Sequence, residues 1–371
     1  MQKPGLYIHI PFCRSKCPYC DFYSIPSISL ISRWLESFKK EVVHYTDRFG
    51  CFDSLYLGGG TPTLLSLASL NDILDCLFNY LEFAEDTEIT IEANPDDMTG
   101  EKAAGLKSLG FNRINLGVQS FNERDLLFLG RGNVAKDAEK ALRNLRSSGF
   151  DNIGIDLIYG LNDQRLECWM ANLKKAIYFM PEHLSCYQLN IEKGTPFWNM
   201  KEKGIITDLD EEKECAFFLA TSEFLENKGY IHYEVSNFAK GKAYYSRHNC
   251  KYWHRAPYLG LGPSAHSFQS STRWWNYRSV RKYCEALEQG RAPISGQEDL
   301  EDEQKSLESV LLGLRVQDGF DLKQVVEHSY EFREVISKLR ESGYLQVIND
   351  RIMPTRKGFL VADRLPLFFF I

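Results

Sequence analysis

The chain has no uninterrupted apolar run approaching the roughly 18 residues that a membrane-spanning helix needs. Its most apolar stretch, residues 365–371, is only seven residues long. That tail is expected to dock on the protein or to make a weak membrane contact. The opening MQKPGLYIHIPFC lacks the charged-then-apolar layout of a secretory leader, so a cytoplasmic protein is expected. Positive charge is not in excess either. The 44 Lys+Arg stand against 50 Asp+Glu, a net charge of −6, which argues against a protein that coats nucleic acid. Hydrophobic residues make up 44% and charged residues 25%, as in an ordinary globular chain, so disorder, collagen and coiled coil are excluded for the whole. At about 150 residues per domain, 371 residues suit two domains or one large domain with an appendage.

A local absence is sharper. Residues 235–284 contain no Asp or Glu, but nine Lys/Arg, eleven aromatics and three of the eight histidines. The rest of the chain holds 35 basic and 50 acidic residues, so the mild net charge averages a −15 body and a +9 segment. Gly260, Gly262, Pro263 and Ser264 within that segment predict loops and turns rather than long elements.

Before it, strand-like and helix-like segments alternate. Apolar, β-branched runs lie at 6–10, 54–57, 88–93, 113–118, 152–158 and 183–190. Helical periodicity falls at 30–43, 66–81, 100–109, 134–148, 164–179 and 211–227. One helix per gap implies parallel βαβ units with right-handed crossovers, giving an α/β doubly wound sheet or an incomplete barrel. After residue 300 the pattern becomes three short helices (307–314, 322–328, 332–342) and a hairpin (344–348, 351–354), a winged-helix-like module. Its ten basic and twelve acidic residues offer no footprint for phosphates, so no nucleic-acid partner is expected. The expected division is 1–234, 235–299 and 300–371.

Ten cysteines remain to be placed. Cys13, Cys17 and Cys20 follow the first strand in PFCRSKCPYCDF, a C-x3-C-x2-C spacing on a loop. Zinc would want four ligands. An iron–sulfur cluster with three protein thiolates leaves one iron open. The other seven cysteines are scattered and suit core filling. The second strand ends in Gly58-Gly59-Gly60-Thr61-Pro62-Thr63, where backbone can approach a ligand and free N–H groups together with a helix start would suit an anion. Glu92, Gln119, Asp156 and Asn190 lie at or near the ends of the next four strands, with Arg131 just past the fourth. Parallel β/α barrels build one site from several strand ends in this way.

The cysteine spacing, with Tyr19 before the last cysteine, resembles the radical S-adenosylmethionine (SAM) superfamily. LYIHIPFC, SLYLGGGTPT, TIEANPDDMT, RINLGVQSFN and IDLIYGL extend the likeness over nearly the whole chain to the oxygen-independent coproporphyrinogen III oxidase group. The resemblance implies a partial (β/α)6, TIM-like barrel of the radical SAM type with a C-terminal helical module. It also implies a [4Fe-4S] cluster on Cys13, Cys17 and Cys20, whose open iron chelates SAM. For the SAM site it implies Tyr7, Tyr19, Gly59, Gly60, Thr61, Glu92, Gln119, Arg131 and Asp156, with the glycine run holding the methionyl amine and Arg131 pairing with a carboxylate. Within the group, true oxidases carry a fourth cysteine where this chain has Phe22. SRHNCKYW (246–253) instead is similar to the HN-x-x-YW pattern of the heme chaperone branch, matched by His248, Asn249, Tyr252 and Trp253.

The chemistry of that segment suits heme. His248 can offer an axial nitrogen, and Tyr252 and Trp253 can stack on the ring. Arg247, Lys251 and Arg255 can pair with propionates, and Cys250 is a further thiol. The expected function is a heme carrier that delivers to apoproteins such as respiratory enzymes, with no catalytic residue assigned and a homodimer allowed. The alternative is the radical oxidase, which oxidatively decarboxylates coproporphyrinogen III. His266 could instead approach the SAM site.

Overall fold

A computed structural model of the chain describes residues 2–132, 134–324 and 330–369. The first half runs β1 (Gly5–Ile10), α1 (Ile31–His44), β2 (Phe52–Gly59), α2 (Leu67–Tyr80), β3 (Phe83–Ala93), α3 (Gly100–Ser108) and β4 (Arg113–Gln119). It continues with α4 (Glu123–Phe128), α5 (Ala135–Ser147), β5 (Ile153–Tyr159), α6 (Leu166–Tyr178), β6 (His183–Gln188), α7 (Pro196–Glu202) and α8 (Glu211–Asn227). All six expected strands and all six expected helices are present. The short α4 and α7 are additions, too brief for helical periodicity to reveal. Strands β1 to β6 are parallel neighbours in chain order, as the βα alternation requires.

Residues 235–299 are not mainly loops. After β7 (Ile231–Glu234) they hold β8 (Asn237–Ala239), α9 (Arg247–Trp253), β9 (Tyr258–Leu261), β10 (His266–Gln269), β11 (Thr272–Asn276), α10 (Val280–Glu288) and β12 (Ile294–Asp299). The full sheet has twelve strands in the order β12-β11-β10-β9-β1-β2-β3-β4-β5-β6-β8-β7. The segment thus supplies strands to both edges, with β9 parallel to β1. These strands are too short and aromatic-rich for alternation to show in sequence. The 234/235 boundary falls inside the β7–β8 hairpin, where the Ser236 N–H (3.1 Å) and the Asn237 side-chain amide donate to Glu234 Oε2.

The C-terminal module comprises α11 (Asp302–Gly313), β13 (Phe320–Asp321), α12 (Tyr330–Glu341), β14 (Leu345–Ile348), β15 (Arg351–Pro354) and α13 (Arg356–Leu360). It has its own core, including Val310, Leu314, Phe320, Ile336, Leu339 and Ile352. The expected hairpin is β14–β15. The helix expected at 322–328 lies mostly outside the described residues, and Leu322–Gln324 is a 3-10 turn. The tail begins as a 3-10 turn, Leu365–Phe369, whose Leu365 packs into the module core while Leu367 and Phe368 are exposed. Among the described residues no helix is long and apolar enough to cross a membrane.

One buried carboxylate ties the late strands to the first helix. Glu41 on α1 is fully buried. It accepts from Gly262 N–H (2.8 Å), Asn276 Nδ2 (2.6 Å) and Tyr283 Oη (2.5 Å). Truncating it leaves three buried donors unpartnered, each at about 1–3 kcal/mol. Glu41→Ala is therefore expected to lower stability by about 3–5 kcal/mol, read as a drop in the urea midpoint.

Candidate functional site

The barrel strands alternate in an unusual sense. On β4, Ile114, Leu116 and Val118 join the outer core under the helices. Arg113, Asn115, Gly117 and Gln119 point to the other face and line a cavity of about 670 Å³. On β6 the outward lane is Leu184 and Cys186, and the inward lane is His183, Ser185 and Tyr187. Period two thus separates an apolar lane facing helices from a polar lane facing the cavity.

All three cluster cysteines line this cavity. Their loop is closed by Cys13 N–H donating to the Ile25 carbonyl (3.1 Å) and Ile25 N–H to Pro11 (2.8 Å). Thr61 Oγ1 donates to Cys13 Sγ (3.5 Å), and Arg131 Nη1 lies 3.7 Å from Cys17 Sγ. Gly130, at φ +65°, packs so closely that a Cβ would meet Pro18 Cδ at 2.6 Å, so the loop and the Arg131 turn are fitted to each other. Among the described residues no group of His, Cys, Asp or Glu closes on a single metal ion. A four-iron cluster takes one thiolate per iron over a wider span. Three half-buried thiols on one wall fit that donor set.

The glycine run works differently from the expectation. Gly59 N–H donates to Glu92 Oε2 (3.1 Å), Gly60 N–H to Ile10 O (2.8 Å) and Thr61 N–H to Phe12 O (2.8 Å). These amides are used within the protein and are not free to cradle an anion. The helix that starts there is only a single 3-10 turn, Pro62–Leu64, and α2 begins at Leu67 behind its own Ser66 cap. The run instead lets β2 lie against β1, because a Cβ on Gly60 would sit 2.6 Å from Phe12 O.

Glu92 lies on the cavity wall, also accepting from Tyr56 Oη (2.8 Å). Burial raises its pKa to about 7, with nearby Asp156 adding to the shift. Asp156 accepts from Asn115 Nδ2 (2.6 Å), and its buried Oδ1 has no well-formed hydrogen bond among the described residues. Burial raises its pKa to about 6. Gln119 lines the cavity at φ +65°, a conformation that strains a non-glycine residue. Arg131 Nη2 donates to Asn94 Oδ1 (2.9 Å) and Gly117 O (2.8 Å). The guanidinium thus braces two strand ends and the cysteine loop, where a pairing with a cofactor carboxylate was expected. Tyr7, Tyr19 and Asn190 also face the cavity.

The HNCKYW segment forms α9, and His248, Asn249 and Tyr252 line the same cavity as the cysteines. His248 is 1% exposed. Its Nδ1 lies 3.2 Å from Ser54 Oγ and its Nε2 2.9 Å from Tyr252 Oη, with the ring stacked on Tyr7 and Tyr56. Burial lowers its pKa to about 3. Trp253 lies elsewhere, under the Arg315 guanidinium (5.3 Å). Burial pushes the Cys250 thiol up to about 12, so it is not a ready thiolate.

The proposed propionate partners are already engaged. Arg247 pairs with Asp86 (3.2 Å), Lys251 with Asp53 (2.7 Å) and Arg255 with Glu308 (3.3 Å). The acidic partners all come from outside the basic segment. His266 is exposed at a second, smaller hollow and does not line the main cavity. Tyr56, Asn94, Asn115, Ser185 and Tyr187 line the main cavity and were missed. The available signal was polar residues two apart on strands that otherwise read apolar.

Residues 7–171 match the model of the radical SAM superfamily. The chain is 33% identical over 367 residues to the heme chaperone HemW of Bacillus subtilis, covering 96% of each. It is 33% identical over 372 residues to the heme chaperone HemW of Escherichia coli, covering 97% of this chain and 96% of that one. Among solved structures it matches the coproporphyrinogen III oxidase HemN of Escherichia coli, a radical SAM enzyme, at 24% identity and a TM-score of 0.85, covering 99% of this chain and 90% of that one. The chain belongs to the HemW heme chaperone family within the radical SAM superfamily.

Two outcomes follow from the site. Replacing Cys13, Cys17 or Cys20 by Ala is each expected to abolish the broad iron–sulfur absorbance after anaerobic reconstitution. A full cluster in any single variant would refute the ligand set. Second, burial raises Glu92 and Asp156 from 4.5 and 3.8. Their contribution to stability is complete below the unfolded values and is lost as pH rises through 6 to 7. Glu92→Gln is expected to shrink the apoprotein's stability loss between pH 5 and pH 8 by about 2–3 kcal/mol, measured by urea unfolding at each pH.

Proposed function

We propose that the chain is a heme carrier that holds a [4Fe-4S] cluster on Cys13, Cys17 and Cys20 and binds SAM in the adjoining cavity. The observation that carries this reading is one cavity lined at once by the three cysteines, the polar strand ends, and His248, Asn249 and Tyr252 of α9. The cluster, when bound, supplies an open iron that can chelate an amino acid moiety. Tyr7, Tyr19, Gly59, Gly60, Thr61, Glu92, Gln119 and Asp156 surround the cofactor in this proposal. Glu92 and Asp156 offer negative charge to its cationic groups. Arg131 holds Cys17 and the ends of β3 and β4 in register. Family membership supports heme as cargo, and α9 forms the porphyrin-facing wall. His248, Asn249 and Tyr252 belong to that wall, whereas Trp253 buttresses α9 against the C-terminal module.

The same reading places the protein in the cytoplasm. It delivers heme to acceptor apoproteins, of which respiratory enzymes are one class. The exposed Leu367 and Phe368 suit a weak contact with a membrane or with a second copy of the chain. Phe22, where the oxidases have a fourth cysteine, favours the carrier over the oxidase.

The deciding experiment measures both activities on one anaerobically reconstituted preparation. Near-stoichiometric heme binding is expected, with no conversion of coproporphyrinogen III to protoporphyrinogen IX when SAM and a reductant are present. Sustained conversion would overturn the carrier reading in favour of the oxidase.

A further inference from the structure

Heme iron needs an axial donor with a lone pair that nothing else has taken. Four histidines lie in or beside the two cavities. His9 has Nδ1 3.1 Å from Tyr7 Oη and Nε2 2.8 Å from the Tyr23 carbonyl. His248 has both nitrogens engaged, by Ser54 and Tyr252. His183 has Nε2 2.7 Å from Tyr233 Oη and no hydrogen bond at Nδ1 among the described residues, but it is 1% exposed at the N-terminal end of β6, the end away from the cysteine loop. His266 alone among them is exposed. Among the described residues its ring makes no hydrogen bond, and it stacks on Trp275 at 5.9 Å and 27°.

His266 borders a hollow of about 290 Å³ that shares Tyr7, Tyr252, Asp21 and Phe22 with the main cavity. Phe22 is 70% exposed on the cysteine loop, a large aromatic surface open at the shared rim. Arg278 lines the same hollow, donates to the Asp21 carbonyl at 2.9 Å and pairs with the Asp21 carboxylate at 3.5 Å, both side chains more than half exposed. An ion pair so open to water is readily exchanged for another anion.

We propose that His266 is the axial ligand of the carried heme, seated at the cavity mouth, with Phe22 and Tyr252 against the porphyrin and Arg278 facing a propionate. The inference rests on the carrier reading and names the iron ligand within it. His248 is then a positioning residue, which orients Tyr252 through the 2.9 Å bond. A ligand at the rim suits cargo that must leave. His248 would have to give up the hydrogen bond at its ligating nitrogen to bind iron.

The test titrates hemin into the reconstituted full chain, read by Soret absorbance and electron paramagnetic resonance. The wild type is expected to give an imidazole-ligated spectrum. His266→Ala should lower hemin affinity at least about tenfold and lose that signature. Free imidazole should restore it, with cluster absorbance and SAM affinity unchanged. His266→Met, closer in size, should replace the imidazole signature with a thioether one. His248→Gln should keep the imidazole signature. If both His266 variants keep the wild-type spectrum and affinity while His248→Gln loses them, the assignment is wrong. If the wild type binds no hemin, it is the carrier reading that fails instead.

Discussion

The parallel pairing of β1 with β9 is the contact on which the rest of the molecule depends. It runs from Gly5 opposite Tyr258 to Ile8 opposite Leu261, joining the first strand to one from the late basic segment. Helix α9 immediately precedes β9 and must then lie across β1 and β2. Gly5 makes room for it, since a Cβ there would meet His248 Nδ1 at 3.0 Å and Lys251 Cγ at 3.1 Å. On leaving β9 the chain passes Gly262 at φ +98°, where a Cβ would strike His9 O at 2.4 Å. One strand pairing therefore sets the HNCKYW helix across the N-terminal ends of β1 and β2, with the cysteine loop leaving the opposite end of β1.

Charge reinforces that pairing. Of the nine cations in the acid-free segment, Arg247, Lys251, Arg255, Arg273 and Arg278 pair with carboxylates from other parts of the fold. Lys251 with Asp53 is the most buried of these pairs, at 9% and 17% side-chain exposure. Lys251 Nζ also donates to Lys3 O at 2.8 Å. A buried pair of this kind is weak evidence for added stability, but losing one partner is costly. Its effect here is registry, since Asp53 sits on β2 and Lys251 on α9. The imbalance visible in the sequence, −15 against +9, is thus partly cancelled in the fold by ion pairs between the segment and the body.

Much of this was legible before the fold. The six parallel strands follow from βα alternation, and the three cysteines from a spacing that few other chemistries use. What was not legible depends on convergence. Asn115 and Tyr56 look like ordinary strand residues until six strands turn one face to a common space. The Gly59–Thr61 amides look available until β1 and the residues just after it are placed beside them and take two of the three. Arg247, Lys251 and Arg255 look like propionate ligands until Asp86, Asp53 and Glu308, distant in sequence, arrive opposite them. His248 looks like a ligand by residue type, and only its neighbours reveal that both nitrogens are engaged. Residue type was a good guide to chemistry where a motif is local, and a poor one where the partner comes from elsewhere in the chain.

The electrostatics of the cavity also constrain how two ligands can share it. Glu92 and Asp156 are buried and raised to about 7 and 6, which reflects the cost of desolvating their charged forms. A sulfonium or ammonium group relieves that cost by favouring the charged form, and its binding should release protons near neutral pH. A porphyrin propionate would do the opposite, placing a third negative charge beside two. Heme entering the same opening is therefore driven to keep its propionates away from the barrel interior. The exposed cations along that opening are Lys16 on the cysteine loop and Arg278 across from it. In the proposed arrangement the cationic cofactor and the anionic cargo are thus sorted by depth, the first at the carboxylates and the second at the rim. That sorting holds whether or not the cofactor is ever cleaved.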